Sequence, residues 1–297
     1  MNDSMKAKKH YFIILAHTEP ELLCQVIRRI DAPNHYFLVH IDKKSQEKWN
    51  LQDFQKQNVK VYRKMEIRWG GINQVLVKLV LLREALLGGA DYCHFISGQD
   101  FMTTSPKKFD DYFCQKGEHY HGIFSFVPNE SLSHLKQKRM DIWCFYDLFD
   151  RRKWSILSKL CRIIEEAEYY LIRTGLPLRK KFDFDYYKGE AWFSVDYALG
   201  TEIVSFCEQH PDFIKRFRHT CCSDESFFHT VAMQSSYKET ILPQTITYCN
   251  WSRKRKSPEI LTDNDYQDII KSGCLFCRKV SLKDSQALIE LLQSNTL

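Results

Sequence analysis

The chain has 297 residues, of which 44% are hydrophobic and 14% aromatic, so it can bury a sizeable core. No apolar run approaches the roughly 20 residues that cross a bilayer, and no signal-peptide cleavage site follows the N-terminus, so a soluble, unprocessed chain is predicted. The net charge of +6 is mild, but basic residues cluster at 151–153, 178–181 and 253–256, a pattern that suits an anionic partner.

The first hundred residues predict alternating strands and helices. Four apolar runs predict buried strands, at 11–16, 36–41, 59–62 and 92–96. Apolar residues at helical spacing predict helices over 20–30 and 73–87, with Thr18 as the N-cap of the first. This alternation is typical of an α/β fold with a mostly parallel central sheet flanked by helices. Ligands bind at the carboxyl ends of such strands, which singles out three polar loops, at 17–19, 42–44 and 97–100.

The remainder of the chain is less regular. The segment 125–187 is rich in Arg, Lys, Trp and Tyr and has no clear sheet pattern, although a helix is expected near 156–173. We interpret it as an inserted acceptor-side segment in one domain that spans 1–297. Strands are predicted at 191–195 and 241–249, and helices at 196–209, 224–233 and 262–272.

Cysteines and common nucleotide motifs narrow the class of protein. The eleven cysteines are scattered without the spacing of a zinc site or a disulfide framework, so buried thiols in a reduced cytoplasmic protein are predicted. The sequence has no GxGxxG after the first strand, no GxxxxGK[ST], no HExxH and no GxSxG. These absences disfavour dinucleotide and P-loop nucleotide binding, zinc proteases and serine hydrolases.

Two patterns bear on the binding of a diphosphate. Asp183-Phe184-Asp185 has the Asp-x-Asp form of a metal site, but it does not follow an apolar strand, and a solvated turn is the favoured interpretation. Without a metal, a diphosphate needs fixed cations. Arg278 and Lys279 are candidates because an apolar segment ends there.

Glu225 lies in the first turn of the helix predicted over 224–233. One interpretation is structural: Asp224 caps the helix and Glu225 complements its dipole, which contributes at most about 1 kcal/mol. The other is that Glu225 is a general base, which must lie within hydrogen-bond reach of an acceptor hydroxyl. These residues alone favour the structural interpretation.

Six motifs in order resemble the core-2/I-branching β-1,6-N-acetylglucosaminyltransferase family, which includes xylosyltransferase relatives. They are VHIDKKS, RWGG, HFISGQD, GEAWFSV, SDESFFHT and LFCRKVS. The resemblance covers the chain from Tyr11 to about Ser281. It implies a GT-A-like fold and an inverting transferase that uses a UDP-sugar and no metal cofactor.

The resemblance assigns roles residue by residue. It makes Glu225 the catalytic base. On the donor side it places Asp42, Asp100 and Lys279, with Arg278 beside Lys279. Either Arg255 or Lys256 is the second diphosphate contact. His17, from the first strand-end loop, is also assigned to the donor side. On the acceptor side it places Trp192 and Trp251, and Glu190 occupies the position where the family has Ser.

The predicted function follows from these roles. The enzyme is expected to move N-acetylglucosamine, with xylose as the alternative, from UDP to a hydroxyl of a glycan or lipid-linked glycan. No nucleic-acid partner and at most peripheral membrane contact are expected, in the bacterial cytoplasm or at the inner membrane. The alternative is a non-catalytic module on the same fold that binds nucleotides or polyanions.

Overall fold

A computed structural model describes residues 7–148, 155–180, 182–252 and 257–294. The strands are β1 (His10–Ala16), β2 (His35–Ile41), β3 (Val59–Tyr62), β4 (Tyr92–Ser97), β5 (Phe101–Met102), β6 (Gly122–Phe124), β7 (Phe193–Asp196), β8 (Ile241–Pro243), β9 (Thr247–Cys249) and β10 (Phe276–Arg278). The helices are α1 (Pro20–Ile30), α2 (Asn73–Leu87), α3 (Pro106–Lys116), α4 (Asn129–Arg139), α5 (Ile156–Arg173), α6 (Tyr197–Gln209), α7 (Pro211–Phe217), α8 (Phe227–Ala232), α9 (Tyr266–Ser272) and α10 (Gln286–Ser294).

A seven-stranded sheet forms the centre, in the order β3-β2-β1-β4-β7-β6-β8. It is mostly parallel, and β7 runs against both of its neighbours. Successive residues of β1 face opposite cores: Ile13 packs with α2, α6 and α8, and Phe12 packs with α1, α3 and α10. Because helices cover both faces, β1 is apolar from Tyr11 to Ala16, and the predicted α/β architecture is confirmed.

A smaller sheet, in the order β5-β10-β9, lies beyond the loop at 97–100. It corrects the single strand predicted over 241–249, since β8 joins the central sheet and β9 joins the small one. The strand breaks after Pro243, which has no backbone N–H to donate, and the N–H of Gln244 turns back to the carbonyl of Leu242 (2.9 Å). The break allows one run of residues to serve two sheets.

Two predicted helix caps are wrong. The N-cap of α1 is Glu19, in the left-handed conformation, whereas the Thr18 hydroxyl donates to Glu47 Oε1 (3.1 Å). The helix predicted over 224–233 is a 3₁₀ turn, Ser223–Glu225, followed by α8, so Asp224 does not cap it. Burial decides the second case, because the Asp224 side chain is directed into the core rather than toward a helix end.

The described residues of 125–187 form α4 and α5 and add no strand to either sheet. The interpretation of this segment as an insertion in a single domain stays a prediction. In the described ranges, no helix has both the length and the apolarity needed to cross a bilayer.

Candidate functional site

Hydrogen bonds bring the three strand-end loops together at one edge of the central sheet. The N–H of Asp42 donates to the carbonyl of Ala16 (2.8 Å), and the Ser45 hydroxyl donates to the carbonyl of His17 (2.8 Å). The N–H of Gly98 donates to the carbonyl of Leu15 (3.0 Å). His17 is exposed at this edge, so it lies beside the loop that carries Asp42.

The Asp42 carboxylate is buried and holds its own loop. Its Oδ1 accepts from the N–H groups of Lys44 (3.1 Å) and Ile67 (3.0 Å), and its Oδ2 lies 3.7 Å from Lys44 Nζ. The side chain predicted to contact uridine therefore also fixes the shape of the β2 end.

Asp100 is fully buried below the next loop. Its carboxylate accepts from the N–H (2.8 Å) and hydroxyl (2.7 Å) of Ser97, and Oδ1 lies 3.5 Å from Arg278 Nη1. Burial raises the pKa of Asp100, an effect that the Arg278 guanidinium opposes. Because the side chain is fully buried, its contacts are with Ser97 and Arg278 and not with solvent.

Arg278 and Lys78 both approach the ring of Trp192. The Arg278 guanidinium lies 4.3 Å from the ring centroid and Lys78 Nζ lies 4.9 Å from it. We call Lys78, Trp192, Arg278 and Asp100 the Trp192 stack. Lys78 Nζ also donates to the carbonyl of Ala191 (2.6 Å), and burial lowers the pKa of Lys78 to about 8, although Asp224 opposes the shift. Trp192, predicted as a sugar platform, thus lies between cations.

Arg278 keeps hydrogen-bonding capacity. Its Nε and Nη1 are buried and donate no hydrogen bond within the described part of the chain, although Nη1 lies 3.5 Å from Asp100 Oδ1. The following residue, Lys279, is half-buried, and its backbone is fixed by the N–H of Leu261, which donates to the Lys279 carbonyl (2.8 Å). The pair is therefore a rigid source of positive charge near the strand-end loops.

Glu225 lies in a second group of charges. Arg139 Nη1 donates to Glu225 Oε2 (2.7 Å), and Lys188 Nζ lies 2.9 Å from the same oxygen. The three side chains, which we call the Glu225 cluster, are 13% to 30% exposed. Burial is the largest effect on the pKa of Arg139 and lowers it, but Glu225 together with Cys222, Cys221 and Tyr186 raises the pKa above its usual value.

Two glycines let the turn at Glu225 pack closely. The N–H of Gly189 donates to the Glu225 carbonyl (2.9 Å), and a Cβ at Gly189 would lie 1.9 Å from the Ser125 carbonyl oxygen. Gly70, at φ +74°, accepts from the N–H of Ser223 (3.3 Å) through its carbonyl. The motifs RWGG and GEAW therefore hold the 3₁₀ turn from both sides.

Asp224 and Glu225 are neighbours with different surroundings. Burial raises the pKa of Asp224 to about 6, and Lys78 opposes the shift. Asp224 thus belongs with the Trp192 stack, and Glu225 belongs with its own cluster. The turn joins the two charge groups through one peptide bond.

The remaining predicted residues are more scattered. Glu190 Oε2 accepts from the Thr245 hydroxyl (2.6 Å), and burial raises the pKa of Glu190. Trp251 is half-exposed, while Arg255 and Lys256 lie outside the described residues. Asp183 and Asp185 are both exposed, as expected of a solvated turn.

Sequence reasoning missed three charged residues at the site, Lys78, Arg139 and Lys188, and it gave Glu19 no role beyond its place in the loop 17–19. Lys78 had a signal, since it falls on the apolar side of the predicted helix 73–87. Glu19 Oε1 accepts from the Ser281 hydroxyl (3.0 Å) and the N–H of Leu282 (2.9 Å), and its Oε2 accepts from Gln99 Nε2 (3.0 Å). It ties the 97–100 loop to the segment after Lys279.

The chain matches the family described as Core-2/I-Branching enzyme over residues 11–270, and it belongs to that family. This confirms the resemblance carried by the six motifs. The membership and the mostly parallel sheet agree with the GT-A-like fold expected from the sequence.

Two relatives are named as xylosyltransferases. The chain is 23% identical to "Xylosyltransferase" of Ciona intestinalis over 257 residues, 82% of this chain and 27% of that protein. It is 23% identical to "Xylosyltransferase oxt" of Drosophila pseudoobscura pseudoobscura over 253 residues, 78% of this chain and 25% of that protein. The chain thus spans about a quarter of the length of these relatives.

Similar solved structures are more distant. Apo mouse xyloside xylosyltransferase 1 is 10% identical with a TM-score of 0.35, covering 91% of this chain and 97% of that one. A 4-diphosphocytidyl-2C-methyl-D-erythritol synthase is 9% identical with a TM-score of 0.35, covering 70% and 85%. At these scores neither structure supports a statement about this chain.

Proposed function

We infer that the chain is an inverting glycosyltransferase that moves a sugar from UDP to a hydroxyl of a glycan acceptor, with Glu225 as the general base. The observation that carries this proposal is a partly exposed carboxylate fixed by two cations at the end of a buried turn. Family membership supports the reaction class, and the names of the relatives favour xylose over N-acetylglucosamine as the sugar.

The geometry divides the work between the two carboxylate oxygens. Arg139 and Lys188 both contact Oε2, so Oε1 is the oxygen that accepts the proton of an acceptor hydroxyl. The acceptor oxygen then forms a bond to the anomeric carbon from the face opposite the leaving group. The bond between that carbon and the β-phosphate oxygen breaks, and UDP leaves with the electron pair.

Arg278 and Lys279 supply the charge that the departing diphosphate requires. Among the described residues, the buried Nε and Nη1 of Arg278 have no hydrogen-bond acceptor, and a preorganised cation in a partly dry site stabilises developing negative charge strongly. We therefore propose transfer without a metal. Activity should be complete in EDTA, and a strict Mn²⁺ requirement would instead favour Asp183 and Asp185 as ligands.

The test is an assay of the hydrolysis of UDP-xylose and UDP-N-acetylglucosamine, in which the released UDP is measured. Glu225→Gln should reduce turnover by about 10²- to 10⁴-fold, because a general base contributes on that scale. UDP affinity measured by calorimetry should remain near that of the wild type, since the change preserves shape and lies outside the proposed diphosphate contacts.

The matched control is Glu239→Gln, an equal change at an exposed position, which should leave turnover unchanged. Equal activity of Glu225→Gln and wild type, with UDP binding intact in both, would favour the non-catalytic binding module. Loss of UDP affinity together with turnover would contradict the base assignment.

A further inference from the structure

The outer face of α5 is apolar, and in the described part of the chain its side chains are exposed. Its aliphatic and aromatic side chains recur at helical spacing and are 46% to 80% exposed: Ile156, Leu160, Ile163, Ile164 and Tyr170. A helix at the surface of a soluble domain normally turns such a stripe toward the core. Here the stripe faces outward, where it forms a continuous apolar surface.

Polar contacts fix this orientation. Ser158 and Glu168, on the opposite side of α5, are buried, and Glu168 Oε2 accepts from the N–H of Trp143 (2.6 Å). The Tyr169 hydroxyl and His134 Nδ1 of α4 share a hydrogen bond (3.0 Å). Because the polar side of α5 is anchored to the protein, the helix cannot bury its apolar face by rotating.

Cations outnumber carboxylates among the exposed charged residues of α5 and the segment that follows it. The exposed charged residues between 155 and 180 are four cations and one carboxylate: Lys159, Arg162, Arg173, Lys180 and Glu166. An apolar face bordered by Lys and Arg is the pattern of a helix that lies in the interface of an anionic membrane. The six charged residues of α5 exclude a spanning orientation.

We propose that α5 docks the protein on an anionic lipid surface, with its apolar stripe inserted among the acyl chains and its cations at the headgroups. A second copy of the chain fits less well, because a symmetric interface would bring the same four cations of each copy together. The proposal does not depend on the transferase activity, since it concerns a face without Glu225 or Arg278.

The experiment is co-sedimentation of the full chain with vesicles. Wild type should bind vesicles that contain phosphatidylglycerol, bind pure phosphatidylcholine much less, and lose affinity as salt is raised. Leu160→Glu combined with Ile163→Glu should weaken binding at least tenfold, because two charges would enter the apolar stripe. The matched control, Val80→Glu with Leu87→Glu, changes two exposed aliphatic residues of α2 and should bind as wild type does.

Circular dichroism establishes that each variant is folded, which is expected because all four positions are exposed. Failure of the wild type to bind phosphatidylglycerol vesicles would overturn the proposal, as would equal losses in the α5 and α2 variants. Light scattering tests the alternative occupant. If the wild type is a dimer and Leu160→Glu with Ile163→Glu makes it a monomer, a second copy covers the stripe and the lipid proposal is overturned.

Discussion

The Trp192 stack and the Glu225 cluster contain the same kinds of groups but differ in their access to water. The stack combines Lys78 and Arg278 with Asp100, and its carboxylate is fully buried. In the cluster, Arg139 and Lys188 meet a carboxylate that is 30% exposed. The pKa shifts show the consequence. Burial lowers the pKa of both cations, and it sets the net direction for Lys78 in the stack. For Arg139 in the cluster, the combined effect of Glu225 and its neighbours outweighs burial, and the pKa is raised.

This difference separates two uses of charge. A buried charge without full pairing costs free energy and is held in place only by the rest of the fold. The charges of the stack therefore have fixed positions, and their cost appears in the free energy of unfolding. A carboxylate that solvent and substrate can reach is able to exchange a proton. Changes in the stack should therefore alter the free energy of unfolding, and changes in the cluster should alter turnover.

Replacing Lys78 with methionine should have the largest effect on stability. It would leave Asp224 without its buried cation and the Ala191 carbonyl without its donor, at a cost of about 3–5 kcal/mol in the free energy of unfolding. Urea denaturation measures the loss. Lys60→Met is the control, because it removes an exposed pair with Glu84 and should cost under about 1 kcal/mol. Equal losses in the two variants would remove the distinction between buried and exposed charge.

Asp224 should make stability depend on pH. Because burial raises its pKa from 3.8 to about 6, Asp224 contributes stability that is fully present below about pH 4 and is lost as the pH rises through about 6. Relative to Asp224→Asn, the wild type should lose about 2 kcal/mol between pH 4 and pH 7. Urea unfolding across this range measures the difference. Asp111→Asn, an exposed control, should follow the wild-type curve, and parallel curves for Asp224→Asn would contradict the prediction.

Lys188→Met should have the smallest effect and should act on turnover. Arg139 still holds Glu225 Oε2, so we expect about a tenfold fall in kcat, equivalent to about 1.4 kcal/mol, and a stability change under about 1 kcal/mol. Steady-state donor hydrolysis measures the fall in kcat. Calorimetry measures the UDP affinity, which should be unchanged. Lys215→Met removes an exposed pair of equal length (2.9 Å) and should alter neither quantity. If Lys188→Met lowered the free energy of unfolding by more kcal/mol than it raised the activation free energy, Lys188 would act on stability, as the residues of the stack do.

Much of the fold could be predicted because its signals are local. The runs 11–16 and 36–41 are almost entirely apolar since both faces of the sheet are covered, with His40 as the polar exception, and the strands lie where the runs predicted. Short elements such as β5 and α7 escaped, because two to seven residues carry too little periodicity. The turn at Asp224 was misread because a carboxylate before an apolar run is typical of a helix cap, and only burial distinguishes the two.

The sequence by itself determined the α/β alternation, the three loops at the strand ends and the motifs that mark the family, because each depends on residues close together in the chain. Tertiary structure alone decided which charges meet. Arg139 reaches Glu225 across 86 residues, and Lys78 of α2 approaches Trp192, which directly precedes β7. It also decided that α5 turns its apolar stripe outward, since the direction of a helix face depends on which side finds partners in the folded protein.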